Sequence, residues 1–257
     1  MIDTHCHLTF PQLADRVNEV LAAADQAGVE RLITIGTTPD DAEAARAIAE
    51  RYEQVYFAAG VHPHYAPEVS FRDLPRIAEL VAHPKCVAFG EMGIDYHYPD
   101  PPRHIQHDLF NAQLEVIRYS ELDKPIVIHC RKAVDDVLGL IDASGIPGSR
   151  FVFHCFTEPP EEIRKVLAIG AMVSFTGIVT YKNAPEVRES ALLVPDDRIM
   201  IETDSPYLTP EPHRKIRPNE PRYVADTAAH LAQLRETSLS DFVKLTTANA
   251  KRFYKIN

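Results

Sequence analysis

Two histidines flank a single cysteine near the start of the chain, His5-Cys6-His7. Alternate residues of an extended segment share a face, so His5 and His7 project together and Cys6 points the other way. Such a pair is as easily two hydrogen-bonded core histidines as half of a metal site. Its weight comes from the ends of other short apolar runs: Glu91 in "FGEMG", His129 in "VIHCR", His154 in "FHCF" and Asp204 in "ETDSPY". Imidazole nitrogens and carboxylate oxygens together suit Zn²⁺, Mn²⁺ or Mg²⁺. These six residues exceed what one tetrahedral ion needs once a position is left for water. The set therefore predicts two divalent metal ions sharing a carboxylate, with Glu91 as the bridge. A metal pair of this kind acidifies water near neutral pH and holds both the attacking and the leaving oxygen of a displacement. With only two carboxylates among the ligands the pair keeps a positive charge, suited to an anionic phosphodiester.

The residues around this set have assignable roles. Asp204 is the candidate proton acceptor, the alternative being a ligand only. Glu202 lies two residues earlier on the same face, deeper down. There it would orient a ligand imidazole through its free N–H, the alternative being a buried acid paired with Lys or Arg. His62 ends another run in "GVHPH" and would donate to a phosphate or act as general acid, while His64 reads as a loop-stabilising residue. Arg131 follows His129 by two and could grip a phosphate with both N–H edges; otherwise it pairs with a neighbouring loop. Lys182 in "TYKNA" is a weaker candidate of the same kind. The densest basic cluster, His213, Arg214, Lys215 and Arg217, adjoins Asp204 and is read either as a solvated loop or as a contact to a nucleic-acid backbone. Tyr96 and Tyr98 could stack a base, with loop packing as the alternative, and Asp95 is expected to brace its loop. By alternation Cys6, Cys130 and Cys155 turn outward as small packing residues.

Positioning these groups requires strands whose ends meet. Short β-branched runs recur through the chain: "IDTHCH", "RLITIG", "VYFAAG", "CVAFGE", "PIVIHC", "FVFHCF", "AMVSFT" and "RIMIET". Segments with helical periodicity separate them. Leu13, Val17, Leu21 and Ala24 form one stripe closed by Gly28. Thr38 caps a second helix with Pro39 in its first turn, and "HIQHDLFNAQLEVIRYSEL" reads as a third. Eight strands alternating with helices over 257 residues predict an α/β fold, a (β/α)₈ TIM barrel of one domain spanning 1–257, since such barrels run to about 250 residues. An open doubly wound sheet is the structural alternative. In a barrel the strand ends meet at one rim, and the Pro-rich stretches at 98–102 and 206–221 become rim loops.

The bulk properties bound the function class. A composition 45% hydrophobic and 25% charged is that of an ordinary globular protein. No apolar run reaches the roughly 18 residues of a membrane span, and no basic n-region marks a signal peptide. The four cysteines have no paired spacing, which predicts reduced thiols and a cytoplasmic location. A net charge of −10 argues against a nucleic-acid coat protein but not against an enzyme that holds phosphate locally.

The segments "DTHCHL", "GVHPH", "GEMGIDY", "IHCR", "FHCF", "SFTGIVTYKNA" and "ETDSPYLTPEPHR…NEP" resemble, in order and over nearly the whole chain, the signature of the TatD-related metal-dependent hydrolases. That family is a (β/α)₈ barrel of the amidohydrolase-like group whose characterised members are mainly metal-dependent deoxyribonucleases. The resemblance implies metal ligands at His5, His7, Glu91, His129, His154 and Asp204. Glu91 stands where other amidohydrolase-like enzymes often carry a modified lysine. "HRKIRPNEP" and "FTEPPEE" depart from the family's usual loops. The expectation is a hydrolase that cuts phosphodiester bonds in DNA, at single strands or ends, with two divalent metal ions and no obligatory protein partner. An ester or amide hydrolase, such as an aminoacyl-tRNA deacylase, is the alternative on the same metal site, and a non-catalytic metal-binding scaffold is a further one.

Overall fold

The computed structural model describes Met1–Asn257. Eight parallel strands form one sheet in sequential order: β1 (Ile2–Cys6), β2 (Arg31–Gly36), β3 (Val55–Ala59), β4 (Cys86–Asp95), β5 (Ile126–Arg131), β6 (Phe151–Phe153), β7 (Met172–Phe175) and β8 (Ile199–Ile201). The seam between last and first strand is closed just above β8. There the Asp204 N–H donates to the His5 carbonyl (2.9 Å) and the His7 N–H to that of Ser205 (2.8 Å). This is the (β/α)₈ barrel expected from the strand–helix alternation.

Helices α1 (Pro11–Ala14), α2 (Val17–Gln26), α3 (Pro39–Arg51), α4 (Leu74–Val81), α5 (Arg103–Ser120), α6 (Val134–Ser144), α7 (Pro160–Ala168), α8 (Pro185–Leu193), α9 (Val224–Leu234) and α10 (Leu239–Tyr254) surround the strands. The stripe from Leu13 to Ala24 is broken at Asp15 and Arg16, so that Leu13 belongs to α1 and the rest to α2. Thr38 caps α3 as predicted, its hydroxyl accepting the Asp41 N–H at 3.1 Å. No helix is long and apolar enough to cross a membrane.

Two apolar layers result from strand alternation. One lies between sheet and helices and includes Phe57, Phe89, Phe110, Phe151, Phe153 and Phe175. The other fills the lower half of the barrel with Ile2, Ile33, Ile35, Ala58, Ala88, Val127, Val152, Met172 and Met200, and is closed from below by Ala250, Tyr254 and Ile256 of the C-terminal segment. A filled interior leaves the upper rim as the place for chemistry.

Two strands depart from simple alternation just below that rim. Between the pairs Asp3–Leu32 and Cys6–Thr34, β1 carries one residue more than β2. Between Phe89–Ile126 and Met92–Ile128, β4 likewise carries one more than β5. A bulge of one residue reverses the facing of everything beyond it. Ile2 and His5, three apart, thus both face inward, as do Ala88 and Glu91. The bulge in β4 uses Gly90 at φ +111°, and at Gly93, φ +143°, a Cβ would overlap the His129 carbonyl.

Candidate metal centre

The six predicted ligands converge at the upper rim. His5 Nε2 lies 3.4 Å from Glu91 Oε2 and 3.7 Å from Asp204 Oδ1, and His7 Nε2 lies 3.2 Å from the same Asp204 oxygen. Glu91 Oε1 is 2.7 Å from both His129 Nδ1 and His154 Nε2. Glu91 therefore turns Oε2 to His5 and Oε1 to His129 and His154. His5, His7, Glu91 and His154 are all nearly fully buried, and Asp204 is partly open to the mouth.

These atoms fit divalent cations. The ligating atoms of His5, Glu91 and His154, and those of His5, His7 and Asp204, form two compact groups, each within 4.8 Å. The Nε2 atoms of His5 and His7 face each other at 3.3 Å, and the Nδ1 atom of each ring is buried with no partner. Two lone pairs turned toward one point suit a shared cation better than any hydrogen bond between them.

Carboxylates hold the far sides of the other two imidazoles. Asp95 Oδ2 lies 3.0 Å from His129 Nε2, and Glu202 Oε1 lies 3.3 Å from His154 Nδ1. Each contact leaves the inward nitrogen with its lone pair, as metal-ligating histidines require. Glu202 was expected beside a ligand imidazole or paired with Lys or Arg, and it lies against His154. Its Oε1 also accepts the Cys155 N–H (2.6 Å) and its Oε2 the Ser174 hydroxyl (2.6 Å), with no Lys or Arg beside it.

Charge sharing dominates the protonation of this cluster. Burial pushes Glu91 up, but His154 and His129 outweigh it and hold the carboxyl well below its usual range. Burial opposes a charge on His154, yet Glu91 and Glu202 raise it well above an ordinary histidine. Asp204 is held down by His7 and His5 against its burial.

His62 is arranged differently. Its Nδ1 accepts the His64 backbone N–H (3.1 Å), so the neutral ring carries its proton on Nε2. That Nε2–H points at Glu91 Oε1 (3.5 Å) and His129 Nδ1 (3.3 Å). Burial first, then the neighbouring His129 and His64, keep it neutral well below an ordinary histidine despite Glu91. His62 with Glu91 and His129 is a third compact group, but a protonated nitrogen cannot ligate. The geometry makes His62 a hydrogen-bond donor to the site.

Several expectations change. The fourth strand runs on past Glu91 to Asp95, and Asp204 lies beyond the end of β8 at φ +54°. Asp95 does more than brace a loop: besides His129 it accepts the His97 N–H (2.7 Å) and lies 3.3 Å from His64 Nε2. Its even spacing from Glu91 on one strand was the available signal. Asp3, which no metal-ligand spacing marks, also belongs to this rim. Its buried carboxylate accepts the N–H of His5 (3.3 Å), and the N–H (2.9 Å) and hydroxyl (2.6 Å) of Thr203, clasping β1 to the segment after β8 at the first bulge. Cys6 and Cys130 are outward packing residues, but Cys155, at φ +44°, is only half-buried, its Sγ 3.4 Å from the Thr176 hydroxyl. Alternation does not reach it because the chain has already left the strand.

The basic candidates differ in freedom. Arg217 donates to backbone carbonyls of its own loop, His213 pairs with Asp226 at 3.8 Å, and the Arg214 guanidinium lies 3.5 Å from the Tyr181 ring centroid. The 213–217 segment is thus a braced loop more than a free patch. Arg131 makes no ion pair or side-chain hydrogen bond, and Lys182 is exposed and likewise unpaired. Tyr96 is packed, with its hydroxyl shared between His107 and Asp136 and Arg103 over its ring (4.0 Å), whereas Tyr98 is half exposed.

A family model described as TatD related DNase matches residues 2–255. The chain is 39% identical to the "Uncharacterized metal-dependent hydrolase YabD" of Bacillus subtilis over 257 residues, the full length of both. It is 33% identical, over 100% of its own length and 99% of the relative's, to a Shigella flexneri protein named 3'-5' ssDNA/RNA exonuclease TatD. The crystal structure of YjjV, a TatD homologue from Escherichia coli, superposes with a TM-score of 0.93 at 27% identity, covering 100% of this chain and 98% of that one.

Proposed function

This chain belongs to the TatD-related DNase family of metal-dependent hydrolases, and from that premise we propose that it hydrolyses phosphodiester bonds of single-stranded nucleic acid, DNA above all, from an end, with two divalent ions. The observation that carries the reading is Glu91, whose Oε2 faces His5 and whose Oε1 faces His129 and His154. In this reading His5, His7 and Asp204 would hold one ion and His129 and His154 the other, with Glu91 shared. Mg²⁺, Mn²⁺ and Zn²⁺ all suit these ligands. Bound there, such a pair supplies Lewis acidity, an acidified water and neutralisation of the phosphate charge.

The protein's own groups divide the remaining work. Asp204 Oδ1 stands at the mouth and takes the proton of the attacking water. His62 donates its Nε2–H to a phosphate oxygen and stays neutral in doing so. Glu202 and Asp95 keep His154 and His129 in the tautomers that leave their inward nitrogens free. Arg131, Lys182 and the free N–H edge of Arg214 hold the strand's phosphates. The free thiols of all four cysteines fit work in the reducing cytoplasm.

The test is metal-dependent shortening of 3'- or 5'-labelled oligonucleotides, with chelator and Glu91→Ala controls and aminoacyl-tRNA and lactones alongside. Ladder formation that requires metal and Glu91 is expected. Turnover of the esters with intact oligonucleotides would replace the substrate assignment, and an active Glu91→Ala would remove the two-metal one.

A further inference from the structure

Two half-exposed tyrosines lie in the rim loops that follow two opposite strands of the barrel. Tyr207, 48% exposed, follows β8, and Tyr98, 51% exposed, follows β4. In a closed eight-stranded barrel those strands lie opposite one another. Each ring is connected to the metal centre by an unbroken run of contacts. Tyr207 meets Phe10 edge-on at 6.1 Å, and Phe10 stacks on the candidate ligand His7 at 4.5 Å with 19° between the planes. Tyr98 meets His64 edge-on at 5.4 Å, and His64 lies 3.3 Å from the Asp95 that holds His129. The guanidinium of Arg131, which has no carboxylate, lies 5.8 Å from the Tyr98 ring.

Held aromatic rings with a face in water, beside an unpaired guanidinium and at the edge of a cluster that handles phosphate, match the requirements of an unpaired nucleotide. A base stacks on the ring whatever its identity, and the phosphate meets the cation. We infer that Tyr207 and Tyr98 are the two walls of a stacking slot that receives the unpaired bases flanking the cleaved bond, with Arg131 on the adjoining phosphate. The inference rests on the phosphodiesterase reading above and names the residues behind its single-strand selectivity. Bases stacked inside a duplex cannot enter, so the slot selects single strands and frayed ends and is indifferent to sequence.

A double-mutant cycle between ring and base tests this. The kcat/KM of wild type, Tyr207→Leu, Tyr98→Leu and Tyr207→Phe is measured with Mn²⁺ on an end-labelled single strand and on the same strand lacking the bases beside the cleaved bond. Stacking on one aromatic ring is worth about 1–3 kcal/mol, or roughly 5- to 150-fold. The Leu variants are expected to lose about tenfold on the intact strand, and wild type to lose at least as much when the bases are removed. Leu substitution combined with base removal should cost no more than base removal alone, and Tyr207→Phe should match wild type. Losses of equal size on both strands would mean that the rings only support His7 and His129, and would overturn the slot, as would Leu variants that digest the intact strand at the wild-type rate. A wild type inert on both strands would overturn the phosphodiesterase reading itself, and the slot with it.

Discussion

Both rims of the barrel hold charged groups that are at least partly buried, and they dispose of them in opposite ways. At the lower rim a cation sits just before several strands and donates back to backbone carbonyls at or just after the C-terminal end of the helix one strand–helix unit earlier. Lys85 Nζ donates to the carbonyls of Tyr52, Glu53 and Val55, Lys124 Nζ to those of Val81, His83 and Cys86, and Arg150 to those of Leu122 and Lys124. Arg198 does the same with Leu167. Their donors are satisfied by backbone carbonyls, and at Val81 and Leu167, in the last turns of α4 and α7, the positive charge also meets the negative end of a helix dipole. At the upper rim the imidazoles and carboxylates point at one another, and the far nitrogens of His5 and His7 have no partner. A charged cluster satisfied by backbone is architecture. One whose members converge on a common point has the donor geometry of a metal site.

That contrast can be broken most severely at Glu91. Glu91→Gln should reduce metal-dependent turnover by at least about 10³-fold and lower the bound metal, while circular dichroism stays unchanged. Asp95→Asn and Glu202→Gln act one step further out. Each should weaken metal affinity by about 10–100-fold, read by titration with Mn²⁺, and higher metal should restore turnover. Metal itself should stabilise through the upper rim alone. At about 100 times its Kd it adds about 2.7 kcal/mol, a rise in Tm of roughly 5–10 °C for a chain of this size, and the double variant His5→Ala/His7→Ala should blunt that rise. Lys124→Met is the opposite case. Leaving three buried carbonyls without their cation should cost about 2 kcal/mol and lower Tm by roughly 4–8 °C, with kcat/KM unaltered. A loss of activity in Lys124→Met at full occupancy of the fold would mean that the two rims are not independent.

Much of the upper rim was legible in the residues. His129 and His154 face inward by plain alternation, in step with Val127 and Val152 below them. Glu202, in step with Met200, does so too, and its service to His154 followed from a spacing of two before Asp204. His62 was expected to donate to a phosphate or act as general acid; the placement of its proton on Nε2 follows from the His64 backbone N–H on Nδ1, which no sequence pattern announces. Asp95 was under-read because β4 was expected to stop at Glu91, although its place four residues on put it on the same face.

By itself the sequence determined the eight strands, their order and the types of ligand at their ends, because periodicity and residue chemistry are local properties. It could not determine which way β1 and β4 face. A strict period of two would set His5 opposite Ile2 and Glu91 opposite Ala88, burying the apolar pair at the cost of the ligands. Only the tertiary structure resolves this, with one extra residue in each strand, clasped at β1 by Asp3 and Thr203 and accommodated at β4 by Gly90. Bulges depend on the register of the neighbouring strand, and register exists only once the barrel has closed.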